Sequence, residues 1–330
     1  MIQYGELVRQ GIDIALAEHQ QQGGRAIELV TVDDGGSAGR AGAAVDELER
    51  AGVIAVIGPL LPEALASAAA ARDDERLALL SPTAPDRPNA PHTYALNTED
   101  VRGARALAEY TVQQGRRRVG VLYPRTADFR ELAQAFGEAL RTAGGEVTAD
   151  VGYDPATTTF ARPIEQLLGS GVDAVYAPAP ERIIRQLAPQ FEYYGLGGVP
   201  LMGSDAWTSD EVLRSVSPRV LEGTVATTAL PRGSSEVAWD RFVGLYEAAH
   251  RRTLDTPYPA LGYDATALVL GALADGDSPG PADIARGLAG TTAFRGATGV
   301  LSLEDGTVTR KPFLVRIQSG RLVPLPEGGS

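Results

Sequence analysis

The first residue that could do chemistry is Ser37, in the run Gly-Gly-Ser-Ala-Gly at 35–39. This run fits the G-x-S-x-G pattern of a hydrolase nucleophile, and it lies between a predicted strand and a predicted helix, as such a nucleophile requires. The nucleophile also needs a histidine base, and His19, His92 and His250 all lack a recognisable catalytic context. A serine before a helix more often accepts a hydrogen bond from its first turn. The sequence therefore favours a helix cap over a serine hydrolase.

Two adjacent carboxylates, Asp33 and Asp34, follow the same predicted strand and could hold a magnesium ion. A solvated loop, or negative charge favoured by the dipole of the next helix, explains them as well. The chain has no cysteine, which excludes disulfides, thiolate metal sites and cysteine nucleophiles. Because Lys311 is the only lysine, a Walker A phosphate loop is excluded too. We expect no metal, no cofactor and no enzymatic activity.

The overall composition is that of an ordinary globular protein, with 330 residues, 44% hydrophobic and 22% charged. Its 30 basic and 42 acidic residues give a net charge of −12. We expect neither a nucleic acid nor an anionic membrane as a partner of such a chain, because binding to phosphates needs a basic face. No apolar run is long enough to cross a bilayer, so we expect no direct membrane insertion. The length favours two lobes over one.

Short apolar runs alternate with helical patterns over about the first 230 residues. The predicted strands are 27–32, 53–57, 77–80, 119–123, 174–176 and 200–202, and the predicted helices between them are 41–50, 63–72, 101–114, 129–142, 160–168 and 183–194. Alternation of this kind predicts an α/β fold with doubly wound parallel sheets. Ligands bind such sheets at the carboxyl ends of the strands.

An internal repeat indicates two similar halves. The segment GVIAVIGP at 52–59 recurs as GVDAVYAP at 171–178, and each copy leads into a helix and a second strand. These second strands end in polar loops, at 81–83 and 203–205. Chance similarity between two buried strands of one larger sheet is the alternative.

The pattern changes after Pro231. Two long helices, 235–251 and 263–274, and a short one near 282–288 precede a β-rich end at 299–325, with turns at 304–306 and 319–320. A tail of this kind can cross back between lobes, and both lobes are then discontinuous in sequence.

Seven short motifs occur in order along the chain: QYG at 3–5, VDD at 32–34, IGP at 57–59, LSPTA at 80–84, VLYP at 121–124, MGSD at 202–205 and LGYDA at 261–265. This series resembles type I periplasmic solute-binding proteins, and above all the branched-chain amino-acid receptors of ABC importers. The resemblance implies two lobes, 1–98 with 231–308 and 99–230 with 309–330. Three crossovers, near 97–100, 230–232 and 308–312, join them into a hinge that closes over a ligand.

The resemblance also implies a set of ligand-binding residues. The candidates are Tyr4, Leu60, Leu61, Ser81, Thr83, Phe129 and Asp205. Asp205 matches the acid that binds the ligand's ammonium group, and such a charge-assisted bond is about twice as strong as a neutral one. Phe129 falls where an aromatic ring lies over the ligand. The alternative for Asp205 is a helix cap before residues 207–212.

One departure from the family concerns the ligand's carboxylate. A serine that binds this group in the amino-acid receptors corresponds here to Pro62, which has neither a hydroxyl nor a backbone donor. The segments 94–100 and 187–195 look more like penicillin-binding protein activators, which share the fold but regulate a cell-wall enzyme.

We therefore expect a receptor that captures a small polar solute, an amino acid or related amine, for an ABC permease. The alternative is a regulator that contacts a cell-envelope enzyme. The expected location is periplasmic or extracellular, with a lipid anchor on the full-length form as one option, although residues 1–22 lack the pattern of an export signal.

The second half opens with strand 119–123 before its first helix, whereas the first half begins directly at that helix. In a doubly wound half the opening strand is central. We therefore expect the sequence to be a truncated form whose natural product starts some tens of residues upstream. The competing hypothesis is that neighbouring strands close the gap.

Overall fold

The computed structural model describes residues 2–82, 90–96, 101–228, 237–254, 256–273, 279–304 and 307–325. The chain divides into two compact units, each formed from two stretches of sequence. Unit 1 comprises Met1–Glu99 and Glu236–Arg310, and unit 2 comprises Asp100–Ser235 and Lys311–Ser330. The predicted crossovers at 97–100 and 230–232 lie outside the described residues.

The helices are α1 (Ile2–Gln21), α2 (Ala38–Arg50), α3 (Pro62–Ala71), α4 (Val101–Gln113), α5 (Ala127–Thr142), α6 (Ala161–Gly169), α7 (Glu181–Tyr193), α8 (Asp210–Ser215), α9 (Pro218–Leu221), α10 (Val237–His250), α11 (Tyr258–Gly271) and α12 (Pro281–Ala289). The strands are β1 (Ala55–Ile57), β2 (Ala78–Ser81), β3 (Thr93–Ala95), β4 (Arg118–Pro124), β5 (Glu146–Tyr153), β6 (Ala174–Tyr176), β7 (Leu201–Gly203), β8 (Val225–Thr228), β9 (Phe294–Gly296), β10 (Gly299–Glu304), β11 (Thr307–Arg310), β12 (Phe313–Gln318) and β13 (Arg321–Pro324). A 3-10 helix spans Asp205–Thr208.

Unit 1 is built on a parallel three-stranded sheet in the order β1-β2-β3. The middle strand β2 is buried along its whole length, which explains why its sequence is a continuous apolar run. Leu79 lies in an apolar cluster with residues of α2 and α3, whereas its neighbour Leu80 lies in a second cluster with residues of α11 and α12. Because side chains alternate along a strand, helices cover both faces of the sheet.

Helix α1 packs closely against α11 in unit 1. A β-carbon added at Gly11 would collide with the backbone of Pro259, and one added at Gly262 would collide with the backbone of Val8. Glycine at these two positions therefore permits the helices to approach, and the contact buries Val8 and Ile12.

The LGYDA motif places a buried carboxylate, Asp264, in α11. It accepts hydrogen bonds from the backbone nitrogens of Ala297 and Thr298, at 2.6 and 2.9 Å, and from the Thr298 hydroxyl at 2.5 Å. Burial raises the pKa of Asp264, and the Thr298 hydrogen bonds oppose that rise. These bonds fix the turn between β9 and β10, which belong to the antiparallel sheet β11-β10-β9 of unit 1. The motif therefore has a structural role in this chain.

Unit 2 contains a mixed seven-stranded sheet in the order β13-β12-β8-β7-β6-β4-β5. The strands β4 to β8 run parallel, and β12 is antiparallel to both of its neighbours. One apolar cluster joins this sheet to α6 and α7, and another joins it to α4 and α5. In the second cluster Phe136 stacks on Tyr176 with ring centroids 4.2 Å apart. The parallel sheets with helices on both faces confirm the predicted α/β fold class.

One predicted strand is wrong. Residues 27–32 form no strand, and no ladder joins them to any strand among the described residues. Ile27, Leu29 and Val30 are instead exposed. A strand exists only where a neighbour accepts and donates its backbone hydrogen bonds, so an apolar run alone does not define one.

The strands β3, β5, β8 and β9 were not predicted. In β5 the sequence EVTADVGY places charged residues between the apolar ones, which weakens the signal of a continuous buried run. Helix α11 begins at Tyr258, five residues before the predicted start. Pro259 lies in its first turn, where proline is well tolerated.

Candidate functional site

In unit 1, the carboxyl ends of β1 and β2 lie at the same edge of the sheet because the two strands are parallel. Ser81, the last residue of β2, is buried, and its hydroxyl donates a hydrogen bond to the carbonyl oxygen of Pro59 at 2.5 Å. Leu60 and Leu61 follow Pro59 and are half-buried, and Leu61 directly precedes α3. The structure therefore brings three of the predicted residues together in two linked loops.

Tyr4 lies in the first turn of α1 and is about half exposed, at 47%. Its ring packs edge to face against Tyr258, the first residue of α11, with centroids 4.8 Å apart. Tyr258 was not among the predicted residues, although an aromatic between Pro257 and Pro259 at a helix start is a recognisable pattern. The remaining candidate of this unit, Thr83, lies outside the described residues.

In unit 2, Asp205 begins the 3-10 helix that follows β7. The helix is anchored by Trp207, which is fully buried and donates its indole N–H to the carbonyl oxygen of Ala177, just beyond β6, at 2.7 Å. Asp205 itself is exposed. Its backbone carbonyl accepts a hydrogen bond from the Thr208 hydroxyl at 2.7 Å. The Trp207 anchor therefore presents the Asp205 carboxylate on a fixed turn.

The alternative reading of Asp205 as a helix cap is wrong. Ser204 occupies the N-cap position of the 3-10 helix. Ser209 caps α8, where its hydroxyl accepts a hydrogen bond from the backbone nitrogen of Val212 at 3.2 Å. Asp205 therefore contributes its carboxylate to the first turn and not to a cap.

Phe129 lies in the first turn of α5 and is 8% exposed. It belongs to the same apolar cluster as Leu132 and Phe136 of that helix. The structure thus places Phe129 chiefly in the core of unit 2, and its predicted contact with a ligand stays a prediction.

Two hydroxyls at the carboxyl edge of the unit 2 sheet were missed by sequence reasoning. Thr126 follows β4 and Ser204 follows β7, and each is the N-cap residue of the next helix without making a side-chain cap bond. Both hydroxyl oxygens are buried and have no hydrogen-bond partner among the described residues. Because buried polar groups are normally paired, these hydroxyls are candidates to bind a ligand. The only sequence signal is a hydroxyl residue just after a predicted strand.

Tyr153 ends β5 at the same edge, and its buried hydroxyl also has no hydrogen-bond partner among the described residues. Its ring packs edge to face on Phe160 with centroids 5.1 Å apart. Burial raises the pKa of Tyr153, so its phenol remains protonated and able to donate.

The expected cap by the Ser37 hydroxyl is wrong. Ser37 is the N-cap residue of α2, but its side chain accepts no cap hydrogen bond. Its backbone carbonyl accepts bonds from Arg40 and Ala41 instead. The Asp33 and Asp34 carboxylates each accept a turn amide, from Gly35 and Gly36, at 2.8 Å. This supports the loop interpretation of the two acids, and no cluster of three potential metal-ligating side chains occurs in the described part of the chain.

Two surface cavities, each within one unit, lie away from the predicted residues. One of about 480 Å³ is lined by Asp46, Glu49, Arg50, Ala71 and Asp73 of unit 1. The other, of about 350 Å³, lies between α5 and the strands β4 and β5 of unit 2. Neither cavity includes a residue that the sequence proposed for ligand binding.

The family of the chain follows from comparison with known proteins. A family model described as periplasmic binding protein matches residues 3–321. The chain therefore belongs to the periplasmic binding protein family, a family of extracytoplasmic, non-enzymatic ligand receptors, and the predicted resemblance is confirmed. Among curated proteins, no relative matches the chain. No helix in the described ranges combines the length and apolar character needed to cross a bilayer.

Solved structures share the fold at low sequence identity. A protein from Rhodospirillum rubrum, assigned to a branched-chain amino acid ABC transporter, has a TM-score of 0.89 and 23% identity, covering 98% of this chain and 95% of its own. An ABC transporter substrate-binding protein from Desulfitobacterium hafniense, in complex with Leu, has a TM-score of 0.79 and 24% identity, covering 97% of this chain and 95% of its own. A solute-binding protein from Rhodopseudomonas palustris, in complex with benzoate, has a TM-score of 0.71 and 18% identity, covering 98% of this chain and 91% of its own.

Proposed function

We propose that the chain captures a small solute that carries an ammonium group, an amino acid or a related amine, and presents it to an ABC permease. In this proposal units 1 and 2 are the two lobes predicted from the sequence. The observation that carries the proposal is the carboxylate of Asp205, presented on an anchored turn at the carboxyl edge of the unit 2 sheet.

The chemistry of this edge favours an amine. A carboxylate attracts an ammonium group and repels the carboxylate of a simple organic acid. The buried hydroxyls of Thr126 and Ser204 lie in loops at the same edge. A hydroxyl can both donate and accept, so these groups can bind the polar atoms of the same solute.

The structural neighbours support a small solute but differ in its charge. The Desulfitobacterium hafniense protein is in complex with Leu, which carries an ammonium group, whereas the Rhodopseudomonas palustris protein is in complex with benzoate, which carries none. Asp205 favours the first kind of ligand for this chain. Pro62, the first residue of α3, lacks both a hydroxyl and a backbone donor, so the ligand's carboxylate, if it has one, must be bound elsewhere.

A second candidate function is regulation of a cell-envelope enzyme. The segment 187–195, which resembles penicillin-binding protein activators, includes the end of α7 and one exposed aromatic side chain, Tyr193. Tyr193 is 80% exposed, and its ring packs edge to face on Tyr194 with centroids 4.8 Å apart. Exposed tyrosines are common at protein interfaces, so the alternative rests on Tyr193. In either case we place the protein in the periplasm or at the cell surface, where a lipid anchor is one option.

A thermal-shift assay distinguishes these functions. The intact chain is heated with each L-amino acid, with small amides and with benzoate. A true ligand present at 100 times its Kd stabilises the folded form by about 2.7 kcal/mol. We expect an amine-bearing solute to raise the melting temperature and benzoate to leave it unchanged. A uniform lack of response contradicts the receptor proposal and favours the regulator.

The role of Asp205 is tested by Asp205→Asn, which keeps the size of the side chain and removes its charge. Loss of a hydrogen bond to a charged group costs about 1.5–3 kcal/mol, so affinity for the amine should fall by roughly 10- to 100-fold. Asp240→Asn is the matched control, because Asp240 is an exposed acid on α10 of unit 1. Unchanged affinity in Asp205→Asn removes this residue from the site.

A further inference from the structure

Three charged side chains are buried among the described residues, and all three lie in unit 1: Arg72, Asp264 and Arg310. Burying a charge is costly unless an opposite charge or hydrogen bonds compensate it. Burial raises the pKa of Asp264, and the positive charge of Arg310 is among the effects that oppose this rise. Asp264 and Arg310 therefore act as counter-charges. Since apolar residues of similar size often stabilise a core at least as well, the pair is of interest for what it holds in place.

Arg310 connects two parts of unit 1 that no strand ladder joins. It is the last residue of β11, and one of its guanidinium nitrogens donates to the carbonyl oxygen of Leu96, just beyond β3, at 3.1 Å. The strands β3 and β11 belong to different sheets, and no ladder links these sheets in the described ranges. The Arg310 side chain therefore ties the carboxyl end of β11 to the carboxyl end of β3.

The same bond lies close to both ends of unit 1 that continue into unit 2. The first stretch of unit 1 ends at Glu99, three residues beyond Leu96, and the second stretch ends at Arg310 itself. The hydrogen bond from Arg310 to Leu96 therefore fixes the positions of these two ends within unit 1.

A short series of hydrogen bonds leads from Leu96 to a candidate binding loop. The backbone nitrogen of Leu96 donates to the carbonyl oxygen of Ser81 at 2.8 Å. The Ser81 hydroxyl donates in turn to the carbonyl oxygen of Pro59 at 2.5 Å. Leu60 and Leu61, two of the predicted ligand-binding residues, follow Pro59. Arg310 thus reaches this loop through three consecutive hydrogen bonds.

We propose that Arg310, with Asp264 as its counter-charge, is a positioning residue for solute capture, which holds the loop at 59–61 in its binding conformation before the solute arrives. This inference rests on the proposed receptor function. The guanidinium group suits the role because its planar fork presents several donors in a fixed geometry, so that one side chain can face a carboxylate and a carbonyl together. A loop held in this way loses less conformational freedom on binding, which raises the affinity.

Arg72 provides a matched control in the same unit. It is also buried, at 6% exposed against 9% for Arg310. Its guanidinium donates to the carbonyl oxygen of Leu77, at 2.7 Å, and to that of Pro91. These residues precede β2 and β3, so Arg72 holds the amino ends of the two strands, whereas Arg310 acts at their carboxyl ends.

The test is amide hydrogen exchange of the intact chain without solute, resolved by NMR. Arg310→Met keeps a long side chain and removes the charge and the donors. The amides of Gly58 and Leu96 donate to Leu80 and Ser81 in the native chain. We expect their exchange to accelerate about tenfold or more, as the loss of a charged donor predicts. Unchanged exchange of Gly58 in Arg310→Met overturns the proposal.

Arg72→Met should produce a different pattern. The amides of Leu77 and Leu79, which donate to Asp74 and His92, should accelerate, and that of Gly58 should not. A general loss of stability would instead accelerate the same amides in both variants. If the two variants give the same pattern, the proposal is overturned.

Arg310→Lys covers the case in which Arg310→Met does not fold. It keeps a positive charge opposite Asp264, but an ammonium group lacks the planar fork of the guanidinium. Exchange of the Gly58 amide should therefore still accelerate, by less than in the methionine variant. No acceleration in a chain that carries this lysine overturns the proposal.

Solute affinity is measured with the L-amino acid that gives the largest thermal shift. Arg310→Met should weaken its binding about tenfold, and Arg72→Met should leave the affinity unchanged. If Gly58 exchange accelerates in Arg310→Met while the affinity stays the same, Arg310 holds the loop for another reason, and the positioning role is overturned. If no amino acid gives a shift, the receptor proposal fails, and the exchange measurements still decide whether Arg310 fixes the loop.

Discussion

The same link between neighbouring loops is made by different residues in the two units. In unit 1 the Ser81 hydroxyl, at the end of β2, donates to the carbonyl of Pro59 beyond β1. In unit 2 the indole of Trp207, beyond β7, donates to the carbonyl of Ala177 beyond β6. Since β1 and β6 are copies in the internal repeat, the two bonds hold equivalent pairs of loops. Each unit therefore has a hydrogen bond between its two loops, but a serine makes this bond in unit 1 and a tryptophan makes it in unit 2.

The side chains that make these two hydrogen bonds differ in how much apolar surface they bury. Trp207 is fully buried in the core of unit 2, beside Ala177 and Val212. Ser81 is equally buried but has only a hydroxymethyl group to pack. Burial of apolar area is worth about 25 cal/mol per Å². The unit 2 link should therefore stabilise its unit far more than the unit 1 link does.

Trp207→Ala should have the largest effect. Removing a buried tryptophan costs about 3–5 kcal/mol, and Trp207→Phe should cost less because it keeps most of the packing. The phenylalanine variant still leaves the buried carbonyl of Ala177 without its donor, at about 1–3 kcal/mol. Urea unfolding measures both. A loss below 1 kcal/mol for the alanine variant would show that the indole does not anchor the loop.

Gly203→Ala tests the packing of the same tryptophan from the other side. An added β-carbon would collide with the Trp207 ring, and overpacking of this kind costs about 1–3 kcal/mol. The control is Gly169→Ala at the end of α6, where an added β-carbon meets nothing within 4 Å. We expect the control to leave the urea midpoint unchanged or raise it. Equal destabilisation by both substitutions contradicts the packing argument.

Ser81→Ala should have the smallest effect of the three. It removes the hydrogen bond to Pro59 and little volume, and a typical bond contributes about 0.5–1.5 kcal/mol. Amide exchange of residues 58–62 should rise, since the loop loses its link to β2. If Ser81→Ala costs as much as Trp207→Ala in urea unfolding, the contrast between the two links is wrong.

Local patterns predicted the repeated strands well and the site residues less well. Strands β1 and β6 follow from short apolar runs after a glycine, because each contributes apolar side chains to the core of its own unit. The run 27–32 is similarly apolar, yet within the described ranges no strand pairs with it, and pairing depends on residues far away in sequence. The family resemblance placed Asp205 at a strand end, and the structure adds the anchor that holds it there.

The hydroxyls of Thr126 and Ser204 could not be predicted for a related reason. Sequence predicts a cap at such positions, as it does for Ser37, and only the fold shows whether a cap bond forms. In all three residues the side chain makes no cap bond. For Thr126 and Ser204 burial then leaves the oxygen without a partner among the described residues. Solvent exposure and tertiary packing therefore decide which hydroxyls remain available to a ligand.

Native mass spectrometry of the intact chain tests the central claim most directly. The protein is mixed with the standard L-amino acids and, separately, with the corresponding carboxylic acids that lack the amino group. We predict a one-to-one complex from the first mixture and none from the second, with the complex lost in Asp205→Asn and kept in Asp240→Asn. A complex with the carboxylic acids that persists in Asp205→Asn, or no complex from either mixture, would contradict the account.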